Sequence, residues 1–169
     1  MVDDSLKNKA YLLPNHTSLL PSSTRAIAVL KIYMLLFEEL PKIGQGNATR
    51  ASSILRAAAS PYMELGNQWY DIAQNDAMLS KWLNYRGGCM YRRDEHSLMI
   101  LHRHVTHHCM EHWNPSPAGI YTYEAVQNLL EHTFPLFLPR LQFCLMDEDL
   151  LKPLKLHKLF TSSSEPYDD

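Results

Sequence analysis

The sequence predicts an all-α fold in a single domain, a bundle of about six helices, on three observations. Apolar residues recur at spacings of three and four over most of the chain, the period of an amphipathic helix. The segments so defined begin at capping residues and end at Pro or Gly. No Asn-Gly or Asp-Gly stands between alternating apolar runs, so the local signal for a β-hairpin is missing. No period of 20–50 residues recurs either, which excludes a solenoid.

Composition agrees. Of the 169 residues 46% are apolar and 20% charged, the proportions of an ordinary globular chain. A chain of this length buries about 68–70% of its unfolded surface, enough for one core. The balance of 16 Lys+Arg against 18 Asp+Glu leaves a net charge of −2, which excludes a protein that works by neutralising many phosphates non-specifically. Protonating all 9 histidines would carry that charge to +7, so the surface is unusually sensitive to pH. Cys89, Cys109 and Cys144 are odd in number and far apart, the usage of reduced thiols rather than a disulfide framework. The early acidic residues of the N-terminus make a poor secretory signal. The most apolar run, Ala26 to Phe37, contains Lys31 and is shorter than the roughly 20 residues of a membrane span. These features predict a cytoplasmic protein without a membrane span.

Residues 1–21, polar and broken by Pro14 and Pro21, read as an N-terminal arm that drapes over the fold or stays mobile. Ser22, Ser23 and Thr24 offer N-caps to a helix running to about Leu40 and stopped by Pro41; it is apolar on nearly every side, the mark of a central or interface helix. After the Gly44–Asn47 loop comes a short helix, about Ala48 to Ala59. Ser60-Pro61 then starts another, carried through Trp69, Ile72, Leu79 and Trp82 to Tyr85, where Gly87-Gly88 stops it. The best-patterned helix spans about Asp94 to Trp113, with a seam of Leu98, Leu101, Val105, His108 and His112. Thr122 caps a helix to about Phe134. The following LFLPRLQFCLM stretch reads equally as a kinked helix or a short extended piece, and a last amphipathic segment covers Asp149 to Phe160. The helical domain therefore spans 22–160, and 161–169 is a short disordered acidic tail.

Six histidines fall between residues 96 and 112. His104, His108 and His112 form one ladder on a helix face, and His104, His107 and Glu111 form an overlapping one. Imidazoles one turn apart chelate first-row transition ions, so these five residues are the candidate metal ligands and such an ion the candidate cofactor. His107-x-x-x-Glu111 resembles, over one turn, the ligand turns of hemerythrin-like and di-iron bundles. Such bundles need Glu-x-x-His on other helices, and Glu64, Glu124 and Glu131 lack the histidine. The competing reading has His108 and His112 lining a half-buried helix contact while the other four are wet.

Arg86, Arg92, Arg93 and Arg103, interleaved with Tyr85 and Tyr91, are candidate anion or nucleic-acid contacts; the competing reading pairs them with Asp94, Glu95 or the acidic tail. No phosphate loop, nucleophile elbow or zinc-protease motif occurs, and no catalytic residue is singled out. The excess of apolar helix faces predicts a non-enzymatic interaction, adaptor or regulatory subunit whose partner is another protein or a second copy. Metal binding and nucleic-acid binding are the alternatives.

Overall fold

The computed structural model describes residues 17–64, 68–85, 90–109 and 122–151. Among them every regular element is helical. A 3-10 turn, Thr17–Leu19, leads into α1 (Ser22–Met34), which continues through a π-helical turn (Leu35–Glu39) and one further α-turn (Leu40–Ile43). Then come α2 (Gln45–Ala59), a 3-10 turn (Ser60–Tyr62), α3 (Trp69–Asn75), α4 (Leu79–Leu83), α5 (Glu95–His108), α6 (Tyr123–Thr133) and α7 (Phe137–Asp147).

α5 is the axis of the core. Leu98, Met99, Leu101 and Val105 are fully buried, and the helix is flanked by α1, α2, α4 and α6. Asp94 caps it, its carboxylate accepting from the Ser97 N–H at 2.7 Å, which satisfies one of the orphan donors of the first turn. Thr122 caps α6 in the same way, accepting from the Ala125 N–H at 3.1 Å. The Thr122 cap stands where the sequence places it, and Asp94 stands at the expected start of its helix.

The rod containing α1 runs past the expected stop. Pro41 has no N–H to donate and its ring crowds the carbonyl four residues back. The preceding π turn, closed by Leu40 N–H on the Leu35 carbonyl, takes in an extra residue and carries the helix to Ile43. Gly44 ends it at φ 155°, ψ 163°, a conformation reserved for glycine. Ser22, Ser23 and Thr24 do not serve as caps: Ser22 opens the helix itself, and its hydroxyl accepts from Arg25 Nη2 at 3.2 Å.

The single helix expected from Ser60-Pro61 to Tyr85 is divided. Pro61 lies in the 3-10 turn, and Asp76 separates α3 from α4. The Asp76 carboxylate accepts from the N–H groups of Met78 and Leu79 at 2.9 and 2.8 Å, offering the backbone an alternative to a continuous ladder. The undecided LFLPRLQFCLM stretch is helix α7; Pro139 falls in its first turn, where the missing N–H has no helical partner to lose. α7 closes on Asp149 at φ 54°, with Leu150 N–H returning to the Leu145 carbonyl at 2.8 Å. Part of the expected N-terminal arm is docked, since Thr17 and Leu20 are buried and Thr17 N–H donates to Gln142 Oε1 at 3.0 Å. The parts of the predicted arm, tail and last segment at 1–16 and 152–169 lie outside the described residues.

α2 and α7 form the most extensive pair, and polar contacts fasten both ends. Arg140 donates to the Ala57 carbonyl at 3.1 Å and to Ser60 Oγ at 3.0 Å, placing a cation on the negative end of the α2 dipole. Arg50 pairs with Glu148 at 2.5 Å at the opposite end.

Gly44→Ala is expected to lower stability by about 1–3 kcal/mol in a urea titration. Nothing lies within 4 Å of the added Cβ, so the loss is one of backbone conformation alone. An unchanged midpoint contradicts this account of the turn.

Candidate functional site

The histidine-rich helix presents two unlike faces. On its outer side His107 is exposed, and Arg103, His104 and His108 are half-buried. The ring centroids of His104 and His108 are 5.9 Å apart and those of His107 and His108 4.6 Å, but each of two rings is already engaged. Tyr91 Oη lies 2.9 Å from His104 Nδ1, and Arg103 Nη1 donates to His108 Nε2 at 3.0 Å. Burial holds the His104 pKa down to about 4, reinforced by the cationic Arg103 and by His108 and His107; burial also pushes the Tyr91 hydroxyl up to about 12. Among the described residues no group of three His, Cys, Asp or Glu side chains converges in a way that could hold a metal ion. Glu111 and His112 lie outside the described residues.

The arginines turn to different neighbours. Arg93 pairs with Asp71 at 2.7 Å, donates to Gln68 at 2.9 Å and stacks 4.7 Å above the Tyr70 ring, all on or beside α3. Arg103 sits 5.5 Å from the Tyr33 ring on α1. Arg92 is exposed, and Arg86 lies outside the described residues. The expected ion-pair partners also differ, because Glu95 faces Arg56 at 3.5 Å.

A serine, a histidine and a carboxylate meet between α2 and α5. Ser52 Oγ is 3.2 Å from His96 Nε2, and His96 Nδ1 is 3.9 Å from Glu95. The second distance is beyond hydrogen-bond reach. Ser52 is also an interior helical residue whose hydroxyl donates to the Ala48 carbonyl at 3.1 Å, in a helix whose backbone N–H groups are committed to its own ladder. That setting supplies no oxyanion-binding donors, so the arrangement lacks what acyl transfer requires.

The inner face of α5 holds the larger departure from expectation. His102, grouped with the wet histidines by the sequence pattern, is fully buried. Its ring lies 4.8 Å from that of Phe137 and 5.5 Å from that of Phe134, and among the described residues neither ring nitrogen has a hydrogen-bond partner. Burial lowers its pKa to about 3. His102 lines a small chamber with Thr17, Arg25, Gln127, Glu131 and Leu138. Thr17 Oγ1 and Arg25 Nε are likewise buried without partners, whereas Arg25 Nη1 contacts Glu131 and Nη2 donates to Asn128 at 3.4 Å. Gln127 donates to Thr106 at 2.9 Å. Helical phase relative to Leu98 and Leu101 gives a hint of this inward placement; Thr17 and Arg25 reach the chamber from elements remote in sequence.

No family model matches the chain, and neither a curated protein nor a solved structure matches it.

The titration of His102 makes stability depend on pH. Unfolded, the imidazole binds a proton near its ordinary 6.5; folded, it resists protonation until about 3. Between these values the unfolded state binds more protons, so stability falls as pH drops through 6.5 and continues to fall towards 3. From pH 7 to 5 this group alone is expected to remove about 2 kcal/mol. His104 acts in the same direction. Chemical denaturation at both pH values checks the sum, and His102→Phe is expected to flatten the dependence. Equal stability at pH 7 and 5 contradicts a buried neutral His102.

Proposed function

We propose that this protein is a non-enzymatic helical interaction module, acting as an adaptor or regulatory subunit through contacts with another protein. The observation that carries this reading is the outward face of α1. Ile27 and Met34, two turns apart, are 46% and 47% exposed, with half-buried Leu30 beside them and Lys31 and Glu38 at the edge. A helix apolar nearly all round has only part of its surface used by the bundle, and the remaining apolar stripe with charged neighbours has the make-up of a contact patch. Such a stripe suits an amphipathic helix from the partner, which would present residues at matching three- and four-residue intervals.

Metal binding and nucleic-acid binding draw less support. His104 and His108 are engaged with Tyr91 and Arg103, and Arg93 and Arg103 turn to separate helices, α3 and α1. No helix among the described residues is long and apolar enough to cross a membrane. The free thiol of Cys144 supports the reducing, cytoplasmic setting expected from the sequence.

A photoreactive residue at position 34 is expected to crosslink to one recurrent partner protein in the source cell, and the same residue at exposed position 132 is not. Adding Ile27→Glu is expected to reduce that capture at least tenfold while leaving the melting temperature within about 2 °C, because surface substitutions usually change stability little. Capture that is equal at both positions, or indifferent to Ile27→Glu, removes the reading.

A further inference from the structure

The chamber around His102 belongs neither to the proposed partner surface nor to the outer histidine face. It admits a water-sized group over about 20 Å³, and a single water requires roughly 10–15 Å³. Three buried side chains, Thr17, Arg25 and His102, bring to its lining polar atoms that have no hydrogen-bond partner among the described residues. Buried polar groups are costly to leave dry, so the lining favours an occupant that hydrogen-bonds to them. Of the lining residues, Pro135 is exposed and Glu131, Leu138 and Pro139 are half-buried, so the chamber opens on the side of α6 and α7.

The lining also selects the charge and hydrogen-bonding character of a guest. Arg25 and Glu131 are in contact and offset each other's charge, so the chamber has no net charge to draw either a cation or an anion. A neutral imidazole offers one donor and one acceptor, Thr17 offers both, and Arg25 Nε offers a donor. A guest that accepts and donates through one atom meets these demands; a pure donor or pure acceptor does not. We propose that the chamber is a binding site for a neutral hydroxyl group, supplied by a water molecule or by the end of a small aliphatic alcohol. The oxygen accepts from Arg25 Nε and exchanges hydrogen bonds with His102 and Thr17. An alkyl tail would lie against Leu130, Phe134 and Leu138.

The test uses the full chain labelled with ¹⁵N at histidine, observed by NMR in buffer and during titration with 1-propanol. Sodium butyrate and propylammonium chloride serve as charged comparisons. In buffer, a cross-peak between water and the His102 ring is expected. With 1-propanol, the His102 ring nitrogens are expected to shift saturably and at least threefold more than those of exposed His107. A water cross-peak without a propanol response assigns the hydroxyl to water, and a propanol response that removes the cross-peak assigns it to an alcohol as well; both support the site. Thr17→Val, monitored at His102, is expected to weaken either signal at least twofold, and it remains informative where His102→Phe fails to fold. A ring that shows neither signal overturns the proposal. So does an equal or larger response to either charged compound, or a signal undiminished in Thr17→Val.

Discussion

The structure depends on enclosing α5 from every side. Its buried leucines, Met99 and Val105 leave water completely, each contributing about 1.5–3 kcal/mol of transfer free energy, and no single neighbour covers them all. α1 and α6 take one flank, α2 another, and the short α4 a third. The remaining helices follow from that demand. α7 packs along α2 and brings Phe137 against α5, and α3 packs against α4. The same enclosure explains the chemistry of the inner face: any polar side chain on the buried arc of α5 loses its solvent, and His102 occupies that arc beside Phe134 and Phe137.

His102 is therefore held by aromatic packing rather than by a polar partner. Thr106, one turn further on, stands in contrast, because Gln127 reaches it across the α5–α6 contact. The two residues show the two outcomes open to a polar group in a core: satisfaction by a side chain from the facing helix, or retention of an orphan beside a cavity. The outer face of α5 solves a different problem. There imidazoles share space with Arg103 and Tyr91, and the engaged nitrogens leave those rings serving as packing and hydrogen-bonding elements between α5 and its surroundings.

Much of this architecture is legible in the order of residues. Thr122 announces its helix because a short polar side chain before an apolar stripe has one strongly favoured use. Leu98, Leu101 and Val105 reveal the buried seam of α5 by spacing alone. The misreadings share a cause: a local signal was weighed without its three-dimensional competitor. Pro41 reads as a stop until the wider π turn before it is known. Ser60-Pro61 reads as the start of a long helix, but Asp76 captures two backbone donors that continuity would need. The histidine ladder emphasises 104, 108 and 112, whereas burial selects 102, in line with Leu98 and Val105 and shut in by Phe137 from a later helix. Thr17 and Arg25 are illegible as site residues because nothing in their own neighbourhood anticipates the chamber they help to line.

The π turn at Leu35–Glu39 has one more implication. Each residue of an α-helix advances the helical face by about 100°, so a turn that absorbs an extra residue resets the phase of everything beyond it. Upstream, Val29 and Ile32 point inward; within the turn Leu35 and Leu36 do so while Glu38 and Glu39 remain outside; immediately beyond it Leu40 is again buried. Excising a single amino acid within this turn would regularise the backbone and leave Leu40 facing the interior, whereas straightening the turn at full length would rotate Leu40 away from it by nearly a quarter turn. The local irregularity thus keeps two halves of one rod aimed at the same core.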